Sequence, residues 1–534
     1  MSSSRSGNRN HDEGNISIFR NSYEQIIKLI RSQLVAAKNI DNILAIAQFY
    51  GLFRWINADG IYQDDDLENL VEQRVIQNKK FRLPRLSEMN GGTVLIASEL
   101  YDFGGHSRVV LNWLKAFEEE GDHRLLITRT VMDAFRSTLE DKSIPFHLCA
   151  SQGIELVNEI LAYCANAERV VLHIHPDDIV AVIAARVLAK SGKHIIFYNH
   201  ADHVFSFGMS SAHMVCEVST YGIEINKRAR QLQDSCYLGI PIDFNSATEH
   251  RGYASEATPD KIIMSAGDSS KYAPGDLFFG DFIDSLCQKR SDVTFALVGP
   301  TGDEPWWNEV KERWGHRIHF QGRVPHAKFL DIMQKADVYV DSFPLTGGTA
   351  FPEALLNGKL VTGVSCPMQG YSCVDELRVR DVSALTNEVS KLLDRDKDSI
   401  RKIEEMKKRL ETAQSITSFQ RRIRSIYAGN RPVASSDIAV DIYWREGRWE
   451  KDKAIFLPDG PIWNCLPWTY SVRFGLLIIQ LAGTSGREYR AYILRRILLR
   501  LLPNRLRNLL RRKGIFGRMM SPSDPTLGIT FRLP

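Results

Sequence analysis

The segment DSFPLTGGTAFPEALLNGKLVTG, from Asp341 to Gly363, gathers the residue types that chemistry beside an anion requires. The preceding KADVYVDSF ends a strand-like run, and AFPEALLNG reads as a short helix closed by Gly358. A strand, a Gly347-Gly348-Thr349 turn and a helix start leave backbone N–H groups unpaired, with the helix dipole aimed the same way. Glu353, about one turn further on, is in reach of neutral hydroxyls beside such an anion. Phosphate next to sugar hydroxyls is the chemistry of a nucleotide or nucleotide-sugar. The alternative is a glycine-relieved turn with a solvent-facing glutamate, because short glycine motifs recur by chance.

Further candidates stand at the ends of other apolar runs. TVLIASELYDFGGHSRVV puts Gly104 and Gly105 before a helix, where a backbone can approach a ligand closely, although the GxGxxG spacing of a dinucleotide site is absent. VVLHIHPDD offers His173 and His175 at a strand end, as cleft lining or as two ligands of a metal whose remaining ligands are not evident. In YNHADHVFSFG, His200, Asp202 and His203 directly follow the run IIFYN. A histidine beside a carboxylate can orient a hydroxyl or take its proton near neutral pH; the alternative is histidines satisfied by backbone in a loop. SAGDSSKYAP sets Lys271 just past a strand, where an ammonium can neutralise a phosphate, and HFQGRVPH sets Arg323 and Val324 in a loop after another. These elements, with the Gly-Gly-Thr turn and Glu353, fall at one edge of a sheet, where open α/β folds bind ligands.

The elements that must position these residues alternate. Short apolar runs (TVLIAS, HRLLIT, RVVLHIH, KHIIFYN) are separated by helix-like stretches such as DDIVAVIAARVLAKSG, and the pattern restarts at KIIMSAG. Such alternation predicts parallel, doubly wound sheets. The expected organisation is a disordered leader over 1–15, a helical region over 16–88, a first α/β unit over 89–245, a second over 260–430 and an extension over 431–534. A polar linker, NSATEHRGYASEATPD, separates the two units. At 534 residues the chain exceeds one ordinary core, and 44% hydrophobic with 25% charged residues is a globular composition. Eight scattered cysteines without a CxxC pair suggest neither a disulfide framework nor a zinc site, and favour a reducing cytoplasm. The polar N-terminus lacks the apolar core of a signal peptide, and the longest apolar run, Phe474 to Ala482, is half a membrane span.

Charge is unevenly distributed. Between Arg487 and Arg518 there are ten arginines and Lys513 against one acid, Glu488, while the whole chain carries only +4. In YRAYILRRILLRLLPNRLRNLLRRKGIFGRMM, Leu494, Ile497, Leu498, Leu501 and Leu502 share one helical face, with Arg495, Arg496 and Arg500 opposite. Leu506, Leu509 and Leu510 form a second stripe after Pro503. A cationic, leucine-striped helix fits an anionic membrane surface, while nucleic acid would leave the stripe idle; an intramolecular or oligomer helix is the plainer alternative.

The order of elements over roughly 93–430 resembles the GT-B glycosyltransferases, whose two Rossmann-like domains face a cleft. F-x-G-R-V-P, A-D-V-Y-V-D-S-F-P, G-G-T and E-A-L-L-N-G-K-L-V-T are similar to that superfamily's donor-binding domain. D-S-F-P-L-T-G-G-T-A-F-P-E-A-L and S-S-K-Y-A-P look closest to its O-GlcNAc-transferase-like, inverting members, and N-H-A-D-H-x-F to bacterial polysaccharide glycosyltransferases, with Ser206 in place of an aromatic. The resemblance implies an α/β GT-B fold with an N-terminal acceptor domain and a C-terminal nucleotide-sugar domain. It implies that Lys271 and Gly347 to Thr349 hold a donor diphosphate, that Glu353 holds the ribose, and that the Arg323-Val324 loop meets the base. It also implies a UDP-sugar donor, no metal and no cofactor. The retaining family's Glu-x7-Glu is incomplete, since Leu345 stands where the first glutamate belongs. An inverting enzyme acting on a glycan, lipid-linked or protein acceptor at the cytoplasmic membrane face is therefore expected. The rivals are a nucleotide-sugar epimerase on the same fold and a degenerate scaffold module.

Overall fold

The computed structural model of the chain describes residues 6–432 apart from 58, 85–91, 103–104, 120–121, 243–260 and 367–368, and beyond them 454–457, 470, 473, 476–477 and 529–532. Three helices come first: α1 (Ser6–Ala36), α2 (Ile40–Asn57) and α3 (Asp65–Ile76). The expected leader is thus helical from Ser6 onward.

The first α/β unit runs β1 (Thr93–Leu100), α4 (Gly105–Ala116), β2 (His123–Val131), α5 (Asp133–Asp141), β3 (Phe146–Leu148), α6 (Gly153–Cys164), β4 (Arg169–His173), α7 (Ile179–Lys190), β5 (His194–Asn199), β6 (Met214–Glu217), α8 (Thr220–Ile225) and β7 (Ser235–Tyr237). Its parallel sheet has the order β3-β2-β1-β4-β5-β6-β7. Strands such as TVLIASEL are apolar along nearly their whole length because helices cover both faces of the sheet. Helix α7, IVAVIAARVLAK, is apolar almost all round because the sheet takes one side and α2, α3 and α6 take the other. Arg186 of α7 holds Glu68 at 3.1 Å and Glu72 at 2.9 Å on α3. The helical region is therefore no separate body: Ile26, Tyr50, Phe53 and Val71 share one core with Val157, Ile183 and Phe197.

The second unit runs β8 (Lys261–Ala266), α9 (Phe279–Lys289), β9 (Val293–Val298), α10 (Asn308–Trp314), β10 (Ile318–Gly322), α11 (His326–Lys335), β11 (Val338–Val340), α12 (Ala350–Leu356), β12 (Leu360–Val364), β13 (Arg378–Val379), α13 (Val382–Leu393) and α14 (Lys397–Gln414). Its parallel sheet has the order β10-β9-β8-β11-β12-β13. In each sheet the strand order reverses beside the first strand, at β1/β4 and at β8/β11, and ligands of open α/β sheets bind in the crevice outside such a reversal.

One boundary is corrected. Helix α15 (Ile416–Tyr427) lies inside the expected second unit, but its Phe419, Ile423 and Ile426 are buried in the first unit's core against Trp113 and Tyr198. The chain thus crosses between units twice, and the crossings touch: Ile242 pairs with Ser415, and the Ile242 N–H donates to the Gln414 carbonyl at 2.9 Å. Beyond it, β14 (Ala454–Leu457) pairs antiparallel with β15 (Ile529–Arg532), and Tyr470 and Leu477 lie against the first core. The basic segment 487–518 lies outside the described residues, and no described helix is long and apolar enough to cross a membrane.

Candidate functional site

The chemistry-bearing residues gather at the two reversal points, which face each other. In the second unit, Asp341 follows β11 and is fully buried. The Arg378 guanidinium of β13, also buried, bonds Asp341 Oδ2 at 2.7 Å and Asp375 Oδ1 at 2.6 Å. Asp341 Oδ2 in turn accepts the Gly347 N–H at 2.9 Å. Burial nonetheless raises the Asp341 carboxyl above its ordinary range, against the pull of Arg378. The Gly347 N–H is therefore committed to anchoring the turn, a correction to its expected place in an anion seat. Gly348 and Thr349 make no backbone hydrogen bond through N–H to a described residue. Lys271 reaches the turn from β8: its ammonium donates to the Thr346 carbonyl at 2.8 Å. Burial lowers Lys271, with Asp341 and Asp268 opposing that shift. Arg323 bonds Asp268 at 2.7 Å, and Val324 packs against the second core.

Glu353 belongs to α12 and is mostly buried. Its carboxylate does not stand free for a hydroxyl. Arg108, on the first turn of α4 in the opposite unit, grips it with two parallel bonds of 2.9 Å, and His326 Nε2 lies 2.8 Å from Oε1. Burial alone would raise this carboxyl; the bonds from His326 and Arg108 hold it down at about 2. Gly105 opens α4 beside the turn, where an added Cβ would sit 3.0 Å from Thr349 Cγ2, so a larger residue there would crowd the threonine side chain. Gly104 lies outside the described residues.

The loop after β5 supplies the first unit's side. Asp202 is fully buried and accepts a short bond from the Ser219 hydroxyl, which also caps α8 by accepting the Gly222 N–H at 2.9 Å. Asp202 Oδ1 lies 3.1 Å from His203 Nδ1, and the His203 side chain keeps about a third of its surface exposed. Buried Arg230 fastens this loop by donating to the carbonyls of Asp202 at 3.1 Å and Val204 at 3.0 Å. His200 is placed differently. Its Nε2 lies 2.9 Å from His173 Nδ1, and its ring lies tilted against His106 at 4.0 Å between centroids. Burial and the neighbouring rings drive His200 and His173 well below the ordinary histidine value and His106 down to about 4. Three neutral imidazoles thus cluster together, while in the His203–Asp202 dyad only the imidazole reaches solvent.

Tyr371 joins the halves. Its hydroxyl lies 3.5 Å from Asp202 Oδ1, and its ring is 3.4 Å from the position of a Cβ on Gly348. Gly370 before it has φ +93°, and its carbonyl accepts the Thr220 N–H at 2.9 Å; a Cβ there would lie 2.2 Å from Thr220 Oγ1. The His-Asp dyad and the Gly-Gly-Thr turn are therefore one tyrosine apart.

Some expected groupings do not form. His173 faces His200, whereas His175 bonds Asp177 at 2.6 Å beside half-buried Arg129, so the two histidines do not converge. Among the described residues the one group with metal-ligand spacing is His147, Cys149 and Glu159, on β3, just after it and on α6. Glu159 is already bonded there by His147 and by the N–H groups of Ala150 and Ser151. Arg108, His326 and Tyr371 escaped the sequence reading. Arg108 follows the Gly104-Gly105 pair by one helical turn and His326 ends the HFQGRVPH stretch, so position relative to the noted motifs was the available signal.

No protein-family model matches the sequence, and no curated protein matches it. Solved structures do. TarM superposes with a TM-score of 0.50 at 7% identity, over 63% of this chain and 98% of its own. Anabaena HepE, solved with UDP and glucose, gives 0.48 at 16% identity over 63% and 100%. Thermobaculum terrenum O-GlcNAc transferase gives 0.49 at 13% identity over 77% and 81%. At such identities the likeness concerns the fold, and the fold is GT-B-like.

Proposed function

We propose that this protein is a glycosyltransferase that moves a sugar from a nucleotide-sugar, a UDP-sugar in the first instance, to a glycan, lipid-linked or protein acceptor. The observation that supports this reading most is the juxtaposition across the cleft: a Gly-Gly-Thr turn with Lys271 on one side, the His203-Asp202 dyad on the other, and Tyr371 touching both. In this reading Lys271 and the N–H groups of Gly348 and Thr349 receive the leaving diphosphate and take up part of its charge, with no metal involved. Glu353 takes the ribose hydroxyls. His203, oriented by Asp202, removes the acceptor proton, which suits inversion in a single displacement. His200 has no free nitrogen toward His173 and serves the imidazole cluster. The basic C-terminal segment holds the enzyme at the cytoplasmic face of an anionic membrane.

A thermal-shift series with UDP-, GDP-, ADP- and CMP-sugars tests the donor. A ligand at a hundred times its Kd stabilises the fold by ~2.7 kcal/mol, so one nucleotide should stand out. Incubation with donor alone should leave the sugar's configuration at C2 unchanged, as a transferase requires. Absence of any nucleotide-dependent shift overturns the reading.

A further inference from the structure

The charges around the Gly-Gly-Thr turn do not balance a nucleoside diphosphate from the second unit alone. Arg378 is consumed by Asp341 and Asp375, and Arg323 bonds Asp268. Lys271, bonded at the turn to the neutral Thr346 carbonyl, is the cation the second unit brings to the turn itself among the described residues. A diphosphate carries at least two negative charges, and burying it beside one ammonium leaves an uncompensated anion in a partly desolvated cleft.

A second cation sits at the other end of the turn, on the opposite unit. Lys271 binds Thr346; Gly105 abuts Thr349, and Arg108 lies one helical turn further along α4, on Glu353. Thr346 to Thr349 spans at most about 11 Å even if fully extended, and Glu353 follows about one helical turn, ~6 Å, further on, so the two cations stand at opposite ends of the turn. The Arg108 side chain retains 38% of its exposure, so its guanidinium is reachable from the cleft, and the guanidinium fork suits phosphate as well as carboxylate.

We propose that Arg108 is a diphosphate ligand contributed by the first unit, and that donor entry exchanges its partner: the ribose hydroxyls take Glu353, and the released guanidinium turns to the phosphates. This rests on the donor reading above. It gives the Arg108–Glu353 pair a purpose before donor entry, since each residue satisfies the other until ligand groups take over. It also makes closure of the cleft depend on the phosphates and not on the base.

The test compares two probes on the full chain by calorimetry, UDP and uridine, in wild type, Arg108→Gln and Arg108→Lys. Arg108→Gln should weaken UDP at least tenfold while uridine binds as well as before or more tightly, because Glu353 has lost its competitor. Arg108→Lys should recover part of the UDP affinity. Tighter binding of both probes to Arg108→Gln would make the arginine a competitor only and sink the proposal, as would no change in either. Equal weakening of both, with a lowered melting temperature, would assign Arg108 to the fold and also overturn it. A different failure belongs to the functional reading itself: wild type that binds none of UDP, GDP, ADP or CMP removes the donor site, and this inference with it.

Discussion

Replacing Arg378 by Met tests whether the Gly-Gly-Thr turn is held by buried charge. The guanidinium has no exposed surface and bonds two carboxylates that are themselves buried, with Asp341 passing the restraint to the Gly347 N–H. Methionine fills comparable volume but strands both acids. Breaking a buried pair from one side costs about 3–5 kcal/mol. For a unit of this size each kcal/mol lowers the melting temperature by about 2–4 °C, so a fall on the order of 6–20 °C is expected. The sign of the pH dependence follows. A stranded carboxylate has a folded pKa above its unfolded value, so it destabilises the fold at neutral pH. As pH falls through that raised pKa the folded state takes up a proton and the penalty shrinks. The deficit of Arg378→Met relative to wild type should therefore be larger at pH 7.5 than at pH 5. Scanning calorimetry, with denaturant melts read on Trp306, Trp307 and Trp314 of the second unit, measures it. Arg380→Met is the control: that arginine is 88% exposed beside Asp381, and its loss should cost within about 0.5 kcal/mol. A deficit in Arg378→Met below about 1 kcal/mol and flat in pH would refute the reasoning.

The imidazole cluster predicts acid sensitivity. His106, held near 4, and His173 and His200, held well below the ordinary histidine value by burial, leave the unfolded chain binding more protons below that value. Stability should be full above ~6.5 and decline as pH falls toward 4, by up to ~1.4 kcal/mol per pH unit for each histidine, in denaturant melts; His106→Asn should flatten the slope. Glu353, held near 2, keeps its bridge to Arg108 across that window, since its contribution is complete above ~4.5 and is lost only as pH falls toward 2. His203→Ala should abolish turnover while UDP binding survives, whereas His200→Ala should act on melting temperature; unchanged turnover in His203→Ala removes it from the chemistry. Deleting 487–534 should release the protein from anionic liposomes, at about 1 kcal/mol per engaged basic residue, with donor binding retained; sedimentation equal to the full chain's would contradict the membrane role.

Alternating apolar runs exposed the two sheets because strands buried on both faces carry apolar centres, as VLIA of β1 and IIFY of β5 do. The same logic misses what an amphipathic helix packs against. ITSFQRRIRSIY declares a buried face through Phe419, Ile423 and Ile426, but nothing in it says that the face belongs to the other unit. At the site, Gly347 looked like a free donor because Asp341, six residues earlier, reads as a strand end; only folding brings its carboxylate back over the turn. His200 and His203 were inseparable in NHADH, and their neighbours separate them: His106 and His173 come from 94 and 27 positions earlier in the chain. Arg108 needs both units docked before its partner exists.

The double crossing near Ile242 and Ser415 behaves mechanically as a hinge with two leaves. Two covalent strands side by side, cross-tied by Gln414 to the carbonyls of Ile240 and Tyr371, permit a swing about the line between them and oppose twist. Helix α4 is bolted close to that axis, because Asn112 donates to the Pro241 carbonyl at 3.1 Å. Arg108 lies four residues away, a lever arm of about 6 Å, so a swing of ~15° moves it by only ~1.5 Å. The outer mouth of the cleft travels much further for the same rotation. A rotation of the units about this line would therefore be geared unequally, opening the rim widely while moving the arginine near the axis by little.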